Sequence, residues 1–143
     1  MYKKIMVAVD DTKASISALK EAIKVAKNQN SKICVIHIID TLYEGDVDRE
    51  SFVELTRKKG QEVLDSMKKI LSRSKVEFEM KLTELTPSKA QIAEKLVDEA
   101  TGLSADLIVI GTHGRRRIHH LLTGSVAEEV IRISKTPVLL IRY

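Results

Sequence analysis

The chain has 143 residues, a length that fits one domain with a sizeable buried core. Apolar residues make up 43% and charged residues 31% of the chain, which excludes a disordered protein. The net charge of +4 would suit a nucleic acid, but only 3% of the residues are aromatic and most cations alternate with acids, so we expect no nucleic-acid partner.

The start of the chain predicts neither a signal peptide nor a membrane span. Only five apolar residues, Ile5 to Val9, precede the acids Asp10 and Asp11, and this run is too short for either segment. The single cysteine, Cys34, lies in another apolar run and is interpreted as a small buried hydrophobe, with no disulfide available. We therefore expect a cytoplasmic protein with no membrane partner.

Two buried strands and a helix are predicted first. Ile5 to Val9 is a continuous apolar run, which is typical of a strand buried on both faces of a parallel sheet. A helix follows, with apolar residues at helical spacing and with Asp11 or Thr12 as its N-cap. Ile33 to Ile39 is the second buried strand, and His37 within it is interpreted as a core histidine with a hydrogen-bond partner.

The middle of the chain predicts a long charged helix and an edge strand. A loop over 41–49 precedes the helix, which runs from about Ser51 to Ser72, and Gly60 suggests a bend within it. Residues 76–82 alternate between apolar and charged side chains, the pattern of a strand with one buried face. We expect this strand at the edge of the sheet.

The last third of the chain completes an alternating pattern. Thr86 is the expected N-cap of a helix that has Pro87 in its first turn and stops at Gly102. The remaining predicted elements are a strand, a helix and a strand: Leu107 to Ile110, Ser125 to Ser134 and Val138 to Ile141. Five strands alternating with four helices predict a doubly wound α/β domain.

In such sheets, ligands bind beyond the carboxyl ends of the strands, where the winding direction switches. If the first and fourth strands are neighbours, this rule selects the ends of three strands: Ala8, Val9 and Asp10; Ile38, Ile39 and Asp40; Ile110 and Gly111. Asp10 has two interpretations. It contacts a ribose or a metal-bound phosphate, or it caps the start of the first helix.

The connection between the fourth strand and the last helix predicts a phosphate-binding loop. Gly111-Thr112-His113-Gly114 is followed by nine residues and then by Gly124-Ser125. Connections of this length are uncommon unless they are functional, and glycines let a ligand approach the backbone closely. The N–H groups of Ser125 and Val126 are candidate phosphate ligands at a helix N-terminus. No Walker A or GxGxxG motif is present, which argues against a P-loop NTPase or a dinucleotide dehydrogenase.

The side chains of this connection leave alternatives open. One of the three arginines at 115–117 binds phosphate while the others are solvated, or all three face solvent. His113 lines the ligand site or faces water. The hydroxyl of Ser125 caps the last helix through a capping box with Glu128, a role that is compatible with a bound phosphate.

With these residues in place, the chain resembles the universal stress protein family over its whole length. Gly111-Thr112-His113-Gly114-Arg115 and Gly124-Ser125-Val126-Ala127-Glu128-Glu129 are similar to that family's nucleotide loop. Thr136-Pro137-Val138-Leu139-Leu140 is similar to its closing strand. The resemblance implies one doubly wound domain over residues 1–143, of the adenine nucleotide alpha hydrolase-like kind, with four helices and five parallel strands in the order 3-2-1-4-5.

The three glycines of the loop are typical of the ATP-binding branch of this family, and the chain retains them. The resemblance implies ATP or a related adenine nucleotide, with Mg²⁺ or Mn²⁺ held mainly by phosphate oxygens. The implied binding residues are Ala8, Val9, Asp10, Ile38, Ile110, Gly111, His113, Gly114, Arg115, Gly124, Ser125 and Val126. Arg116, Arg117 and Thr123 depart from the family pattern, and the extra positive charge leaves the nucleotide preference open between ATP, a polyphosphate and another anion.

The leading functional prediction is a nucleotide-dependent stress-response switch with at most slow hydrolysis or autophosphorylation, because no activated nucleophile or general base is evident beside the loop. The alternatives are a nucleotidyl transferase-like enzyme and a flavin-binding electron-transfer module. The transferase usually has His-x-Gly-His near its first strand, where this chain has Asp10-Asp11-Thr12-Lys13.

The last strand also predicts an assembly. Val138 to Ile141 carries no charge, and an uncharged edge strand is a template for pairing with another chain. We therefore predict a homodimer through this strand, as the resemblance also implies.

Overall fold

The structure is a computed structural model that describes residues 1–42, 45, 48–112 and 120–143, without the side chains of 120–124. Strands and helices alternate along the described chain. They are β1 (Lys4–Ala8), α1 (Lys13–Gln29), β2 (Lys32–Ile39), α2 (Arg49–Ser74), β3 (Phe78–Glu84), α3 (Ile92–Leu103), β4 (Leu107–Thr112), α4 (His120–Ile133) and β5 (Val138–Arg142). The strands are all parallel and lie in the order β3-β2-β1-β4-β5, which confirms the predicted fold.

Each face of the sheet has its own hydrophobic core. Successive side chains of a strand point to opposite faces, and β1 shows the alternation. Ile5 and Val7 belong to the core formed with α1 and α2, whereas Met6 and Ala8 belong to the core formed with α3 and α4. Both faces of β1 are therefore buried, which explains why its sequence is continuously apolar.

Some helices begin and end where the sequence predicts, and others do not. Of the two predicted caps, Asp11 and Thr12, the N-cap of α1 is Thr12, and its hydroxyl accepts a hydrogen bond from the Ser15 amide. The predicted start of the third helix at Thr86 is wrong. Residues 86–89 form a turn in which the Lys89 amide donates to the Thr86 carbonyl at 3.0 Å, and the helix begins at Ile92. It ends at Leu103, one residue beyond Gly102, and Ser104 follows in the left-handed region with a φ of 56°.

Gly60 does not interrupt α2, which continues from Arg49 to Ser74. A Cβ atom at Gly60 would lie 2.8 Å from Ile39 Cγ2 and 2.9 Å from Leu82 Cδ1. The glycine therefore lets the helix approach β2 and β3 closely.

None of the described helices combines the length and the apolar composition needed to cross a membrane.

Candidate functional site

A cavity of about 230 Å³ lies at the carboxyl ends of β1, β2 and β4. The central strand β1 has β2 on one side and β4 on the other, so the cavity lies where the winding direction switches. Its lining residues are Ala8, Val9, Asp10, Ser15, Ile36, His37, Ile38, Ile92, Leu96, Ile110, Gly111 and Val126. A mainly apolar wall with a few polar side chains is typical of a small-molecule site.

The structure brings together seven residues that the sequence analysis selected. These are Ala8, Val9, Asp10, Ile38, Ile110, Gly111 and Val126. Ser125 lies at a neighbouring hollow between the end of β2, α3 and α4. His113, Gly114 and Arg115 lie outside the described residues, and Gly124 is described only as part of the backbone of α4.

The start of α4 differs from the prediction. The helix begins at His120, five residues before Ser125. Only the first few N–H groups of a helix lack an acceptor within it, so the amides of Ser125 and Val126 lie too far into α4 to be free helix ends. The predicted N-cap role of Ser125 is therefore wrong.

Asp10 combines a structural role with an available acceptor. Its Oδ1 accepts hydrogen bonds from the Thr12 amide at 3.0 Å, the Thr12 hydroxyl at 2.5 Å and the Ser15 hydroxyl at 2.7 Å. The Ser15 hydroxyl in turn accepts from the Asp10 amide at 2.8 Å. Among the described residues, no group donates to Oδ2. The start of α1 thus orients the carboxylate through one oxygen and leaves the other for a ligand.

The backbone of β2 supplies a second polar feature of the cavity. Ala8 is paired with Ile36, and the Val9 amide donates to the Ile36 carbonyl at 3.0 Å. By the alternation of a parallel ladder, the N–H and C=O groups of Ile38 also point toward the β1 side. β1 ends at Ala8, and in the described chain no bond joins the Ile38 amide to the Val9 carbonyl. Ile38 therefore presents a donor and an acceptor side by side.

His37 is a cavity residue that the sequence analysis did not select. Its Nδ1 lies 2.8 Å from the Val9 carbonyl oxygen, so the predicted hydrogen-bond partner is confirmed, but the residue is half-buried rather than part of the core. The same residue also lines the cavity. Ile92 and Leu96 were predicted only as the buried stripe of the third helix, and that stripe forms one wall. The sequence pattern did not indicate Ser15, because its hydrogen bonds to Asp10 depend on how the chain turns after β1.

Gly111 has a structural explanation that differs from the predicted one. A Cβ atom there would lie 2.4 Å from the Ala14 carbonyl oxygen and 3.2 Å from Ala14 Cβ. None of the described glycines has a positive φ. Gly111 is therefore needed because α1 packs closely against β4, whether or not a ligand also approaches it.

Metal ligands are sparse in the part of the chain that the structure describes. Within it, no group of three or more His, Cys, Asp or Glu side chains is arranged to hold a metal ion. The polar side chains that line the cavity are Asp10, Ser15 and His37, and each of them hydrogen-bonds within the protein.

Comparisons with known proteins identify close structural and sequence relatives. The profile of the universal stress protein family matches residues 1–142. A universal stress protein of Methanocaldococcus jannaschii is 33% identical over 146 residues, which cover 99% of this chain and 83% of the relative. A crystal structure of a protein of that family from Burkholderia pseudomallei has a TM-score of 0.81 at 29% identity, covering 98% of this chain and 96% of the other. The universal stress protein from Archaeoglobus fulgidus in complex with dAMP has a TM-score of 0.70 at 25% identity, covering 98% of each chain.

Proposed function

Since this chain belongs to the universal stress protein family, we propose that it binds ATP or a related adenine nucleotide at the carboxyl ends of β1, β2 and β4. The observation that carries the proposal is the open donor–acceptor pair of Ile38 in a cavity that also contains Asp10. The Archaeoglobus fulgidus relative that was solved with dAMP supports the same class of ligand.

The Ile38 backbone suits adenine better than guanine. Adenine has an acceptor, the ring nitrogen N1, next to a donor, the N6 amino group. The Ile38 amide can donate to N1 while the Ile38 carbonyl accepts from N6. Guanine has the opposite polarity at these two positions, and a site that hydrogen-bonds one pattern rejects the other because its polar groups are left unpaired.

The remaining parts of the nucleotide have matching partners. The free Oδ2 of Asp10 accepts from a ribose hydroxyl. The cavity of about 230 Å³ is smaller than a typical site for a whole drug-sized ligand, which starts at about 300 Å³, and this size suits the nucleoside part of the ligand. The phosphates then extend past Gly111 toward the loop. The predicted loop partners of the phosphates are His113, Gly114 and Arg115. Gly124, Ser125 and Val126, also predicted as partners, lie within α4 and would contact the phosphates from the helix rather than through free N-terminal amides. Mg²⁺ or Mn²⁺ would be held mainly by the phosphates.

The polar groups of the cavity favour a switch over a fast enzyme. The Ser15 hydroxyl donates to Asp10 and the His37 Nδ1 donates to Val9, so neither forms a pair of nucleophile and base with the other. We therefore assign a nucleotide-dependent role in the stress response, in the cytoplasm, with at most slow hydrolysis or autophosphorylation.

The proposal includes a homodimer formed through β5. This strand lies at one edge of the sheet and pairs only with β4 in the described chain. In β5 only the last residue, Arg142, is charged, whereas the opposite edge strand, β3, carries Glu79, Lys81 and Glu84. Charged side chains protect an edge from pairing with another chain, so β5 is the edge that is suited to a partner copy.

The first experiment identifies the ligand directly. Purified protein is denatured and the released small molecules are analysed by mass spectrometry, and calorimetry then compares ATP, AMP, GTP and GMP. We expect an adenine nucleotide to be released and the adenine series to bind more tightly. Equal affinity for the guanine series would contradict the role assigned to Ile38.

Asp10→Asn tests the ribose contact, with Asp11→Asn as its control. We expect Asp10→Asn to weaken AMP binding about tenfold or more, because a hydrogen bond to a charged acceptor contributes about 1.5–3 kcal/mol. Asp11 is exposed and does not line the cavity, so Asp11→Asn should leave the affinity unchanged. Thermal unfolding of both variants separates lost binding from lost folding, since Asp10 also orders the start of α1.

Gly114→Asp and Gly124→Asp test the phosphate loop. Each places a carboxylate where the proposal expects phosphate oxygens, so each should abolish ATP binding while the protein stays folded. An unchanged calorimetric affinity for ATP would show that the phosphates lie elsewhere.

A further inference from the structure

We propose that His37 is a positioning residue that keeps the Ile38 amide open for the base, an inference that rests on the proposed nucleotide site. The starting point is the last part of the ladder between β1 and β2. Its final described bond runs from the Val9 amide to the Ile36 carbonyl. The next bond in the same register would run from the Ile38 amide to the Val9 carbonyl.

The His37 ring hydrogen-bonds to the Val9 carbonyl oxygen, which would be the acceptor of that next bond. Its Nδ1 lies 2.8 Å from the Val9 carbonyl oxygen. A carbonyl oxygen can only accept, so Nδ1 carries the proton and donates. Val9 is 7% exposed, and its carbonyl needs a donor from the protein. The side chain of His37 meets that need, so the neighbouring amide of Ile38 does not have to.

Gly60 of α2 lies near the ring on the side away from Val9. A Cβ atom at Gly60 would lie 3.5 Å from His37 Cδ2, at contact distance, and closer still to Ile39 and Leu82. The close approach of α2 to this part of β2 therefore depends on a glycine at position 60.

Loss of the imidazole donor has a defined consequence. Without it, the Val9 carbonyl is left unpaired, and the Ile38 amide is the nearest backbone donor in register. The ladder then extends by one bond. Ile38 keeps its carbonyl for the base but loses its free N–H, so adenine loses the donor to N1 and with it the preference over guanine.

Two amide variants separate donor position from polarity. In His37→Asn the side-chain nitrogen stands where Nδ1 stands, whereas in His37→Gln it lies one bond farther out, near the position of Nε2. His37→Leu removes the donor altogether. If a donor at the Nδ1 position is what keeps the Ile38 amide open, His37→Asn should behave like the natural protein, whereas His37→Gln and His37→Leu should not.

The first measurement uses nucleotide-free protein and NMR amide exchange. We expect the Ile38 amide to exchange freely in the natural protein and in His37→Asn, and to be protected about tenfold or more in His37→Gln and His37→Leu. The second measurement is the ratio of AMP to GMP affinity by calorimetry. We expect it to fall about three- to tenfold in His37→Gln and His37→Leu and to be kept in His37→Asn.

The outcomes distinguish this inference from the proposed function. A protected Ile38 amide in the nucleotide-free natural protein overturns the inference, and so does a His37→Asn variant that behaves like His37→Leu or fails to fold. A change in melting temperature with an unchanged affinity ratio shows a purely structural histidine and also overturns it. If amide exchange follows the expected pattern but the natural protein binds neither AMP nor GMP, the effect of His37 on Ile38 is supported and the nucleotide site is overturned.

Discussion

Single residues in this protein are often fixed by close contacts between elements. Gly60 and Gly111 both stand where a Cβ atom would lie under 3 Å from a neighbour, whereas a Cβ atom at Gly102 would meet nothing within 4 Å. The neighbours differ in kind. At Gly60 they are the ends of side chains, and at Gly111 the nearest is the backbone carbonyl of Ala14. A backbone atom cannot rotate away, so Gly111 is the more demanding position.

Gly111→Ala should therefore destabilise the fold, and Gly102→Ala should not. We expect Gly111→Ala to lower the free energy of unfolding by about 1–3 kcal/mol through overpacking. Gly102→Ala should raise it by up to about 1 kcal/mol, because alanine favours a helix over glycine. Urea unfolding followed by circular dichroism measures both. Equal effects of the two variants would contradict the role assigned to the contact with Ala14.

Cys34 should be chemically inert in the folded protein. Burial, together with the hydrogen bond from its thiol to Glu79 Oε1 at 3.1 Å, raises the pKa of Cys34 to about 12. The thiolate is the reactive form, so the folded protein should resist iodoacetamide at pH 8 while the urea-unfolded protein is alkylated. Mass spectrometry of the two samples measures the difference. Rapid alkylation under native conditions would be incompatible with this environment.

The connections between elements depend on polar contacts that periodicity does not encode. Glu84, at the end of β3, accepts from Arg57 Nε of α2 at 2.8 Å and from the Thr41 hydroxyl at 2.9 Å. These bonds tie α2 to the ends of two strands. The hydrogen bonds from Arg57 and then Thr41 lower the pKa of the Glu84 carboxyl.

These hydrogen bonds of Glu84 predict that the free energy of unfolding falls at acid pH. Since the pKa of Glu84 is lower in the folded state, its contribution is present above the usual value of 4.5 and is lost as the pH falls through the folded value. Glu84→Gln should therefore reduce stability at pH 7 and matter less at pH 3. Glu21→Gln, which breaks only an exposed pair with Lys24, is the control and should have little effect at either pH. Urea unfolding at both pH values tests this, and a constant difference between Glu84→Gln and the natural protein would refute it.

The elements themselves were predictable to different degrees. Continuous apolar runs identified β1, β2 and β4, because both faces of these strands are buried. The starts of α3 and α4 were wrong by about one to two turns, since Thr86 belongs to a turn and α4 begins before Ser125. A capping residue marks where a helix can begin, but packing and the preceding turn decide whether it does.

At the scale of the whole molecule, the topology places the cavity and leaves two different edges. The strand order brings the ends of β1, β2 and β4 together, so Ala8, Asp10, Ile38 and Ile110 could be selected from sequence by the switch-point rule. His37 could not. Its part in the site depends on where β1 leaves the sheet, which is set by the bonds of Asp10 to the start of α1.

The β5 edge gives a test of assembly. Leu140 of β5 is 36% exposed, and Leu55 of α2 is an exposed leucine at 51% that lies away from that edge. We expect size-exclusion chromatography with light scattering to give a dimer for the natural protein, a monomer for Leu140→Lys and a dimer for Leu55→Lys. A monomer of the natural protein at every concentration would refute the proposed homodimer.

The parallel order of the sheet also constrains how the protein is made. β1 is the central strand, yet one of its two neighbours, β4, begins only at Leu107. Asp106, just before β4, accepts hydrogen bonds from the amides of Lys3 and Lys4, which lie 103 and 102 positions earlier in the chain. During synthesis, therefore, one edge of β1 has no neighbouring strand to pair with until β4 has been made. Such an intermediate is prone to aggregation, and it is the stage of synthesis at which we expect a chaperone to bind most strongly.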